Sequence, residues 1–445
     1  TYVTDGYGRA TQITNAKSQA TKLNWDADNN VTRLEEPNGA VTTYVYDAKT
    51  GYPLEQKDAE ANKKSTAAAT FTYQTGLNGY IADLFQKKSP EGRTWQFGYD
   101  TFGNLKTVTD PKGVATTTAG DYTTKYDYDV YGQLAKVTDA NGNATANSGF
   151  GPTGYPDKIT DALQKATDFV YDERGQVREV TDALGKKTTQ TYDTFGRPLV
   201  STVPKDQNAG VLITTPAPVY DANNNVTTAT SPNGAVSTAV HDAADQVKEA
   251  TAPKDTTTSD ERKSTYTYDK VGNVTATVEP RGTLTTADPN DFRTTSTYDE
   301  IYQLTSVVSA AGDKLSYEYD TVGNVVTVID PKKNATADTS DYTSKTAYDL
   351  NHRVTQVTDA AGKTTKRSYD KDSLVVSTTD AENNTTEITY DERGKQTQVK
   401  VPHDGTTSIT YRTAKYEYDQ VGNTTKVITP RGVDTANADD FAART

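Results

Sequence analysis

The sequence lacks cysteine and methionine altogether, and it contains only three histidines and two tryptophans in 445 residues. Without cysteine the chain forms no disulfide, supplies no thiolate nucleophile and offers no cysteine ligand to a metal. Hydrophobic residues make up 33% of the chain, and the mean hydropathy is -0.77. Because so little apolar surface is available to offset the entropy of folding, a large oily core is excluded.

Membrane and targeting segments are also absent from the sequence. No apolar run reaches membrane-spanning length, and no stretch has the charged start and short apolar centre of a signal peptide. The opening letters TYVTDGYG already follow the repeat described below. We therefore expect this sequence to be a piece of a longer chain.

Positive charge is scarce. The formal net charge is -13 and the sequence pI is about 4.9, and no run of lysine or arginine offsets the acidic excess. A protein that binds duplex nucleic acid needs a basic patch to displace the counterions of the phosphates. The composition therefore excludes nucleic acid as a partner.

Tyrosine, in contrast, is abundant, with 29 copies. A tyrosine buries its ring while its hydroxyl keeps a hydrogen bond, so order is possible without an oily core. Tyr-Asp pairs begin at Tyr46, Tyr99, Tyr128, Tyr171, Tyr192, Tyr220, Tyr268, Tyr298, Tyr319, Tyr348, Tyr369, Tyr390 and Tyr418. Substituted pairs in the same register begin at Thr4, Trp25, Tyr73, Phe150 and His241. These eighteen starts, 21 or 22 residues apart in short repeats and 26 to 30 in long ones, predict a single repeat array over residues 1–445.

Each Tyr-Asp pair is followed by a turn signal. The aspartate is followed by two variable residues and then by glycine, or in other repeats by Asn29, Asn224 or Asp245. Glycine, asparagine and aspartate are residue types that accept positive φ. Aspartate at the head of such a turn binds backbone two residues on. The predicted structural repeat residues are Tyr46, Asp47, Tyr99, Asp100, Gly103, Tyr128, Asp129, Gly132, Tyr171, Asp172, Gly175, Tyr192, Asp193, Gly196, Tyr268, Asp269, Gly272, Tyr319, Asp320, Gly323, Tyr418, Asp419 and Gly422.

A second turn completes each repeat. After a β-branched stretch such as 324–329 comes a signal such as Asp110-Pro111-Lys112-Gly113, which predicts a type I turn, and then a threonine-rich strand leads to the next pair. Long repeats carry polar insertions after this turn, with a shared Asp-Tyr or Asp-Phe at residues 121, 291, 341 and 440. No helical periodicity is evident. The sequence therefore predicts an all-β array of antiparallel hairpins.

The predicted width of the sheet suggests its form. Eighteen hairpins supply about thirty-six strands, which at about 4.8 Å spacing make a sheet on the order of 170 Å wide. Strand twist curls or closes so wide a sheet. With few apolar side chains to fill the interior, we expect a spiralling sheet that curls into a hollow shell or barrel.

The spelling Y-D-x-x-G-N-x-x-x-V-T-D-P-x-G resembles the YD repeat of the rearrangement-hotspot (Rhs) family, and the resemblance covers essentially the whole chain. That family includes bacterial polymorphic toxins, wall-associated proteins, the C component of Tc toxin complexes and teneurins. The resemblance implies a secreted or cell-surface bacterial shell around a toxin or effector domain. The family's conserved core segment with its self-cleavage aspartate is absent from these 445 residues, so neither cleavage nor toxicity is expected of them.

Candidate chemical sites have simpler interpretations. His241, His352 and His403 are far apart and match no nucleophile or metal spacing. The repeated aspartates lack the unique pair that a glycosidase needs. Residues 26–30 and 221–225 resemble half a calcium loop without its closing glutamate. We therefore predict no catalytic residue, no cofactor, no metal and no enzyme activity.

Two alternatives remain open at this stage. Outward-facing tyrosines with asparagine and aspartate would suit a cell-surface adhesin that binds glycans. Unprotected sheet edges would instead allow the array to associate with itself into a surface fibre.

Overall fold

The computed structural model describes residues 1–75, 81–116, 118–205, 210–254, 262–284, 291–332, 341–403, 410–430 and 442–444. Within these residues, nineteen strands belong to one antiparallel sheet and nineteen to a second. The predicted all-β array of antiparallel hairpins is confirmed. The chain divides into two compact units, of which unit 1 is Thr1–Asn143 with Tyr317–Thr445 and unit 2 is Ala144–Ser316.

Unit 1 holds two runs of strands. The first run is β1 (Tyr2–Thr4), β2 (Ala10–Thr14), β3 (Ala20–Trp25), β4 (Val31–Glu35), β5 (Val41–Tyr46), β6 (Pro53–Lys57), β7 (Ala69–Thr75), β8 (Ile81–Lys88), β9 (Thr94–Tyr99), β10 (Leu105–Thr109), β11 (Thr123–Tyr128) and β12 (Leu134–Thr138). The second run is β29 (Val325–Ile329), β30 (Thr343–Tyr348), β31 (Val354–Thr358), β32 (Thr364–Tyr369), β33 (Val375–Thr379), β34 (Thr385–Tyr390), β35 (Gln396–His403), β36 (Thr410–Tyr418), β37 (Thr424–Ile428) and β38 (Ala442–Arg444). In each run a strand pairs with its neighbour in sequence, as β3 does with β4 and β31 with β32.

Unit 2 is built in the same way. Its strands are β13 (Ala144–Phe150), β14 (Pro156–Thr160), β15 (Ala166–Tyr171), β16 (Val177–Thr181), β17 (Lys187–Tyr192), β18 (Pro198–Pro204), β19 (Leu212–Thr215), β20 (Val219–Tyr220), β21 (Val226–Thr230), β22 (Val236–His241), β23 (Val247–Ala252), β24 (Arg262–Tyr268), β25 (Val274–Val278), β26 (Arg293–Tyr298) and β27 (Leu304–Val308). The strand β28 (Lys314–Tyr319) runs across the boundary of the two units.

The hairpins share one geometry. In the turn after Tyr99, Asp100 N–H donates to Asn104 O (2.9 Å) and Gly103 N–H donates to Asp100 O (3.2 Å). This is a type I turn followed by a residue in the left-handed region, a common three-residue hairpin connection. The strand register also shifts at most of the pairs, as between Asp127 and Tyr128, so the tyrosine there lies at a β-bulge.

Three short helices occur among the described residues, although the sequence shows no helical periodicity. They are α1 (Ala59–Lys64), α2 (Pro111–Ala115) and α3 (Pro280–Leu284). The prediction of a type I turn at residues 110–113 is wrong. These residues begin helix α2, and Asp110 caps the helix by accepting hydrogen bonds from Lys112 N–H and Gly113 N–H. Aspartate followed by proline is also a good helix start, so the same letters serve both structures.

In three long repeats, the last residue of the polar insertion has the same backbone conformation where the chain re-enters the sheet. Tyr122, Phe292 and Tyr342 all have left-handed φ values of 52°, 56° and 53°. Their carbonyls accept hydrogen bonds from the residues at which the corresponding second turns begin, for example Asp110 N–H (3.1 Å) for Tyr122. The fourth predicted member, Asp440-Phe441, lies outside the described residues.

The interior contains no oily core among the described residues. The buried hydrophobic residues are small or few, namely Ala40, Ala59, Ala61, Ala276 and Ile428, and no large side chain is fully buried. Hydrogen-bonded turns and half-buried tyrosines therefore carry much of the order. No helix in the part of the chain that is described has the length and apolar character needed to cross a membrane.

Candidate functional site: the Tyr-Asp turns and the seam

The aspartate of each Tyr-Asp pair organises the turn that follows it. Asp100 Oδ1 accepts hydrogen bonds from Phe102 N–H (2.8 Å) and Asn104 N–H (2.9 Å), and its Oδ2 accepts one from Asn104 Nδ2 (3.0 Å). The Asn104 side chain, with the backbone donors, holds the pKa of Asp100 below its usual range although burial works against them. The same two backbone bonds occur at Asp129, Asp172, Asp193, Asp269, Asp320 and Asp419.

Asp47 heads a turn that is one residue longer. Its Oδ1 accepts from Lys49 N–H (3.1 Å) and Thr50 N–H (2.9 Å). The glycines of the regular turns are left-handed, with φ of 86° at Gly103, 78° at Gly132, 80° at Gly175, 84° at Gly196, 95° at Gly272, 94° at Gly323 and 92° at Gly422. The residues in the same place at Asn29, Asn224 and Asp245 are left-handed too.

The tyrosine of each pair links its repeat to the one before. Tyr99 Oη donates to Leu84 O (3.1 Å), at a position near the start of the strand that follows the previous pair. Equivalent bonds come from Tyr46, Tyr128, Tyr171, Tyr192, Tyr268 and Tyr418, while Tyr319 ends β28. Trp25, which replaces a tyrosine, donates from Nε1 to Ala10 O (2.8 Å). Burial raises the pKa of Tyr99, so the phenol keeps its proton as a donor.

The residue after the turn glycine covers the next tyrosine in several repeats. The Arg353 guanidinium donates from Nε to Asp349 Oδ2 (2.7 Å) and lies 4.6 Å from the centre of the Tyr369 ring. Arg9 and Arg197 repeat this arrangement over Trp25 and Tyr220. A guanidinium over an aromatic ring is attracted by the ring quadrupole.

A second feature lies inside unit 1, where turns of the two strand runs meet. We call this contact the seam. Its first side is the turns at residues 36–39, 89–93 and 139–142 together with the segments at 58–65, 110–116 and 118–122 that contain helices α1 and α2. Its second side is the Tyr-Asp turns at 349–352, 370–373, 391–394 and 419–422. Its centre is Arg93, which donates from Nη2 to Asp370 Oδ2 (3.0 Å) and from Nη1 to Asp372 Oδ2. Ser89 Oγ also donates to Asp372 Oδ2 (2.6 Å). All three charged side chains are at most 12% exposed, so this ion pair is well shielded from water.

A second arginine lies at the next step of the seam. The Arg393 side chain is 6% exposed, lies 4.9 Å from the centre of the Tyr122 ring and approaches Asp110 Oδ2 to 3.9 Å. Burial raises the pKa of Asp110, which Gly113 N–H and the Arg393 charge only partly offset. Tyr122 N–H donates to Gln420 Oε1 (3.0 Å), so the insertion itself takes part in the seam.

At each end of the seam, both sides donate a hydrogen bond to the other. At one end Glu60 N–H donates to Asn351 Oδ1 (3.1 Å), and Leu350 N–H donates to Glu60 Oε1 (2.9 Å). At the other end Asn141 Nδ2 donates to Asp419 Oδ2 (2.9 Å) and Gln420 N–H donates to Asn141 Oδ1 (3.2 Å). Burial is the largest influence on the pKa of Glu60 and raises it. Hydrogen bonds from the Lys64 side chain and from Leu350 N–H outweigh burial and hold this pKa below its usual range.

The seam joins repeats that are far apart along the chain. If the eighteen repeat starts are numbered in order, repeats 3, 4, 5 and 6 contact repeats 15, 16, 17 and 18, which are twelve repeats later. The bonds Tyr122–Gln420 and Glu36–His352 join repeats that are thirteen apart. Each repeat on one side of the seam therefore lies against one or two repeats on the other.

The histidines and the calcium-like loops lie in the repeat framework. His352 stands at a turn glycine position with φ of 59°, and its Nε2 is 2.8 Å from Glu36 Oε2 at the seam. His241 ends β22 in a tyrosine position, and the side chain of His403 lies outside the described residues. Asp26 and Asp221 cap ordinary turns. No group of three or more metal-ligating side chains occurs in the described part of the chain.

Apart from Asp419 and Gly422, the seam residues were not among the predicted site residues. Arg93 and Asp372 are separated by 279 residues, and no local pattern joins them. The arginines over the tyrosine rings did leave a signal, because the spelling Asp-x-x-x-Arg recurs at residues 5–9, 193–197 and 349–353. A charged pair at one fixed repeat position predicts contact with the neighbouring repeat.

Four segments of the chain match the family model of the RHS repeat, at residues 86–115, 159–207, 303–335 and 348–385. No curated protein sequence matches the chain. The matched segments include the turns at Asp100, Asp172, Asp193, Asp320 and Asp370 and the first side of the central seam contact.

Solved structures share the fold. A crystal structure of TcdB2-TccC3-TEV is 15% identical over 96% of this chain and 28% of that chain, with a TM-score of 0.55. A crystal structure of TcdB2-TccC3 without its hypervariable C-terminal region is 15% identical over 96% and 27%, with a TM-score of 0.56. A Photorhabdus luminescens Tc holotoxin pore with a mutated TccC3 is 14% identical over 96% and 27%, with a TM-score of 0.55.

This chain therefore spans little more than a quarter of the length of those proteins and shares their fold. The repeat matches lie in both of its units, and the predicted resemblance to the Rhs and YD-repeat family is confirmed. The chain therefore contains RHS repeats at residues 86–115, 159–207, 303–335 and 348–385.

Proposed function

We propose that this chain is a structural shell segment of a large exported bacterial protein and that it encloses or displays a toxin or effector domain located outside these 445 residues. In this proposal residues 1–445 act as one repeat array, and no residue in it is catalytic. The observation that carries the proposal is the seam. At the seam, turns of the first sheet bind turns of the second sheet that lie twelve or thirteen repeats later in the same array. We infer that an array which contacts itself in this way forms the wall of a container.

The character of the wall supports a container. The hydrophobic fraction of 33% is too low to fill a wide interior with side chains, so the enclosed volume is left to water or to a second polypeptide. The aspartates of the repeat accept hydrogen bonds within their own turns, which suits a scaffold role.

The fold likeness supports the same proposal. The similar chains come from structures of TcdB2-TccC3 and of a Tc holotoxin pore. We infer that this segment contributes part of a comparable secreted assembly and that its partner is a toxin or effector domain of the same full-length protein.

Electron microscopy of the 445-residue chain tests the container directly. We expect class averages with a wall one sheet thick around a central region of low density. A solid two-layer sandwich or a straight rod without an interior contradicts the proposal.

A protection experiment tests the cargo. The full-length protein containing this chain is treated with protease, and we expect a terminal domain to survive intact until the Arg93→Met substitution opens the seam. Equal cleavage of that domain with and without the substitution contradicts enclosure. Dose-dependent binding to a glycan array, lost when exposed tyrosines are changed, would favour the adhesin instead.

A further inference from the structure

The repeats contain an internal template for binding a guanidinium group. In repeat 15 the Arg353 guanidinium pairs with Asp349 at 2.6 Å and lies over Tyr369, and in repeat 9 Arg197 pairs with Asp193 and lies 4.4 Å from the centre of the Tyr220 ring. The carboxylate comes from the turn, and the ring comes from the next repeat. A cation between the two is therefore a normal part of this architecture.

Repeat 7, in unit 2, lacks both charged members of the template. Gly151 stands where the aspartate is expected, and Tyr155 stands where Arg353 stands in repeat 15. The next tyrosine is retained: Tyr171 donates from Oη to Pro156 O (3.1 Å), and its ring centre lies 5.6 Å from that of Tyr155. The aromatic half of the template is present without its own cation.

A groove of about 900 Å³ lies at this place. Its aromatic lining is Tyr155, Phe169 and Tyr171, and Tyr155 is 54% exposed. This volume is in the range of sites that hold a small ligand or a short peptide.

The charges around the groove are mainly negative. The lining includes the carboxylates of Asp157, Asp168, Asp172 and Glu173 against the single guanidinium of Arg174. Arg174 is turned to its own neighbour, because its Nη2 donates to Thr194 O (2.6 Å), and Lys158 pairs with Asp168 (3.1 Å). Burial and then the nearby Asp157 carboxylate raise the pKa of Tyr171.

We propose that the groove of repeat 7 binds an arginine side chain presented by a peptide or protein segment, with the guanidinium over Tyr155 and Tyr171 and close to Asp157. The incoming arginine supplies the cation that Arg353 supplies in repeat 15, and the Tyr155 ring adds a second aromatic surface. A guanidinium suits the site because its flat face stacks on a ring while its edge donates to a carboxylate. Since one side chain supplies the contact, we expect a dissociation constant on the order of 1 mM that weakens with salt.

Titration calorimetry of the full chain with acetyl-Gly-Arg-Gly-amide tests this site. The matched ligand is the same peptide with citrulline, which keeps the shape and lacks the charge. We expect the arginine peptide to bind at least tenfold more tightly. Equal affinity of the two peptides, or no heat with either at about ten times the expected constant, overturns the proposal.

Two variants separate the groove from the rest of the protein. Gly151→Asp combined with Tyr155→Arg restores the template, because a Cβ at position 151 would meet Asp157 only at ordinary contact distances of 3.7 and 3.8 Å. We expect the restored arginine to fill the site and reduce peptide affinity at least tenfold without lowering the melting temperature. Asp157→Asn should weaken binding about fivefold by removing one nearby charge.

The matched control is Tyr52→Arg in repeat 3, where Tyr52 stacks on Tyr73 at 5.1 Å and the turn keeps Asp47. This change should leave peptide affinity unaltered. Loss of peptide binding in this control, with binding kept in the restored variant, would overturn the proposal by placing the site elsewhere. Tighter binding of a neutral oligosaccharide than of the arginine peptide would also overturn it.

Discussion

At the scale of single residues, the tyrosine and the aspartate of a pair have separate tasks. The aspartate satisfies backbone donors two and four residues ahead, so it acts within its own turn. The tyrosine hydroxyl reaches back 15 to 24 residues to the preceding repeat, as from Tyr46 to Val31 and from Tyr298 to Val274. One residue shapes the hairpin, and the other ties hairpins together.

Tyr99→Phe tests the link between repeats. Removal of the hydroxyl leaves Leu84 O without its donor, and we expect the free energy of unfolding to fall by about 1 kcal/mol. Thermal or urea unfolding measures the change. Tyr131→Phe is the control, since Tyr131 is 85% exposed at a turn tip, and an equal loss in both variants would contradict the role of the hydrogen bond.

Gly103→Val tests the left-handed turn position. Gly103 has φ of 86° and open space around its missing Cβ, so backbone strain alone accounts for the effect. We expect a loss of more than about 1 kcal/mol. Gly6→Ala, at a position with open space and no left-handed φ, should be neutral, and unchanged melting of Gly103→Val would refute the turn assignment.

Acid should unfold the array through the turn aspartates. Hydrogen bonds from the asparagine four residues ahead are the largest cause of the lowered pKa of Asp26, Asp100, Asp221, Asp269 and Asp380. A folded pKa below the unfolded value stabilises the protein above the unfolded value of about 3.9, and this stability is lost as pH falls through the folded pKa.

The expected melting temperature is therefore steady from about pH 7 to 5 and falls below about pH 4. Asp100→Asn with Asp269→Asn should melt lower at neutral pH and show a shallower fall in acid. A fall as steep as that of the unchanged protein would show that other groups are responsible.

Local turn chemistry is the part of the site that could be predicted from the sequence. Aspartate, glycine and the polar residue after glycine lie within five residues, so their contacts follow from spacing alone. The acceptor of each tyrosine hydroxyl could not be predicted in the same way. It depends on the bulge at residues such as Tyr128, which sets where the ring lies over the neighbouring hairpin.

At the scale of elements, strand position was predictable and the short helices were not. Period-two stretches with β-branched residues mark the strands, and each described strand before a regular pair ends at its tyrosine. The helix α2 has only five residues, too few for a helical period to appear. Its start signal of aspartate and proline also begins a type I turn, so only the insertion that follows distinguishes the two.

Gly113→Ala tests how the insertion packs on α2. A Cβ at this position would lie 2.5 Å from Asp121 O and 2.7 Å from Thr109 Cγ2, so backbone must move. We expect a loss of about 1 to 3 kcal/mol, as for other overpacked sites. Gly210→Ala, which meets no atom within 4 Å, is the control in urea unfolding, and equal stability of both variants would contradict the close packing.

At the scale of the whole molecule, the sequence predicts that the sheet curls but does not predict which repeats meet at the seam. A sheet of this width must curl, which follows from strand twist, but the number of repeats per return depends on the sum of many small twists and bulges. The charged partners at the seam, such as Arg93 and Asp370, carry no spelling that distinguishes them from other surface charges. The folded structure alone shows that Arg93 and Asp370, which are twelve repeats apart in the sequence, are in contact.

Cross-linking across the seam is the most direct test of the account, and the absence of native cysteine makes it clean. The pair Ser89→Cys and Asp372→Cys replaces side chains that are hydrogen-bonded at 2.6 Å, and Ser89→Cys with Gln420→Cys places the second thiol two repeats out of register. After treatment with a short bismaleimide, we predict an efficient intramolecular cross-link in the first pair and little in the second, seen as a faster monomer band under denaturing electrophoresis. Equal cross-linking of both pairs, or only intermolecular products, would contradict the contact between repeats 4 and 16.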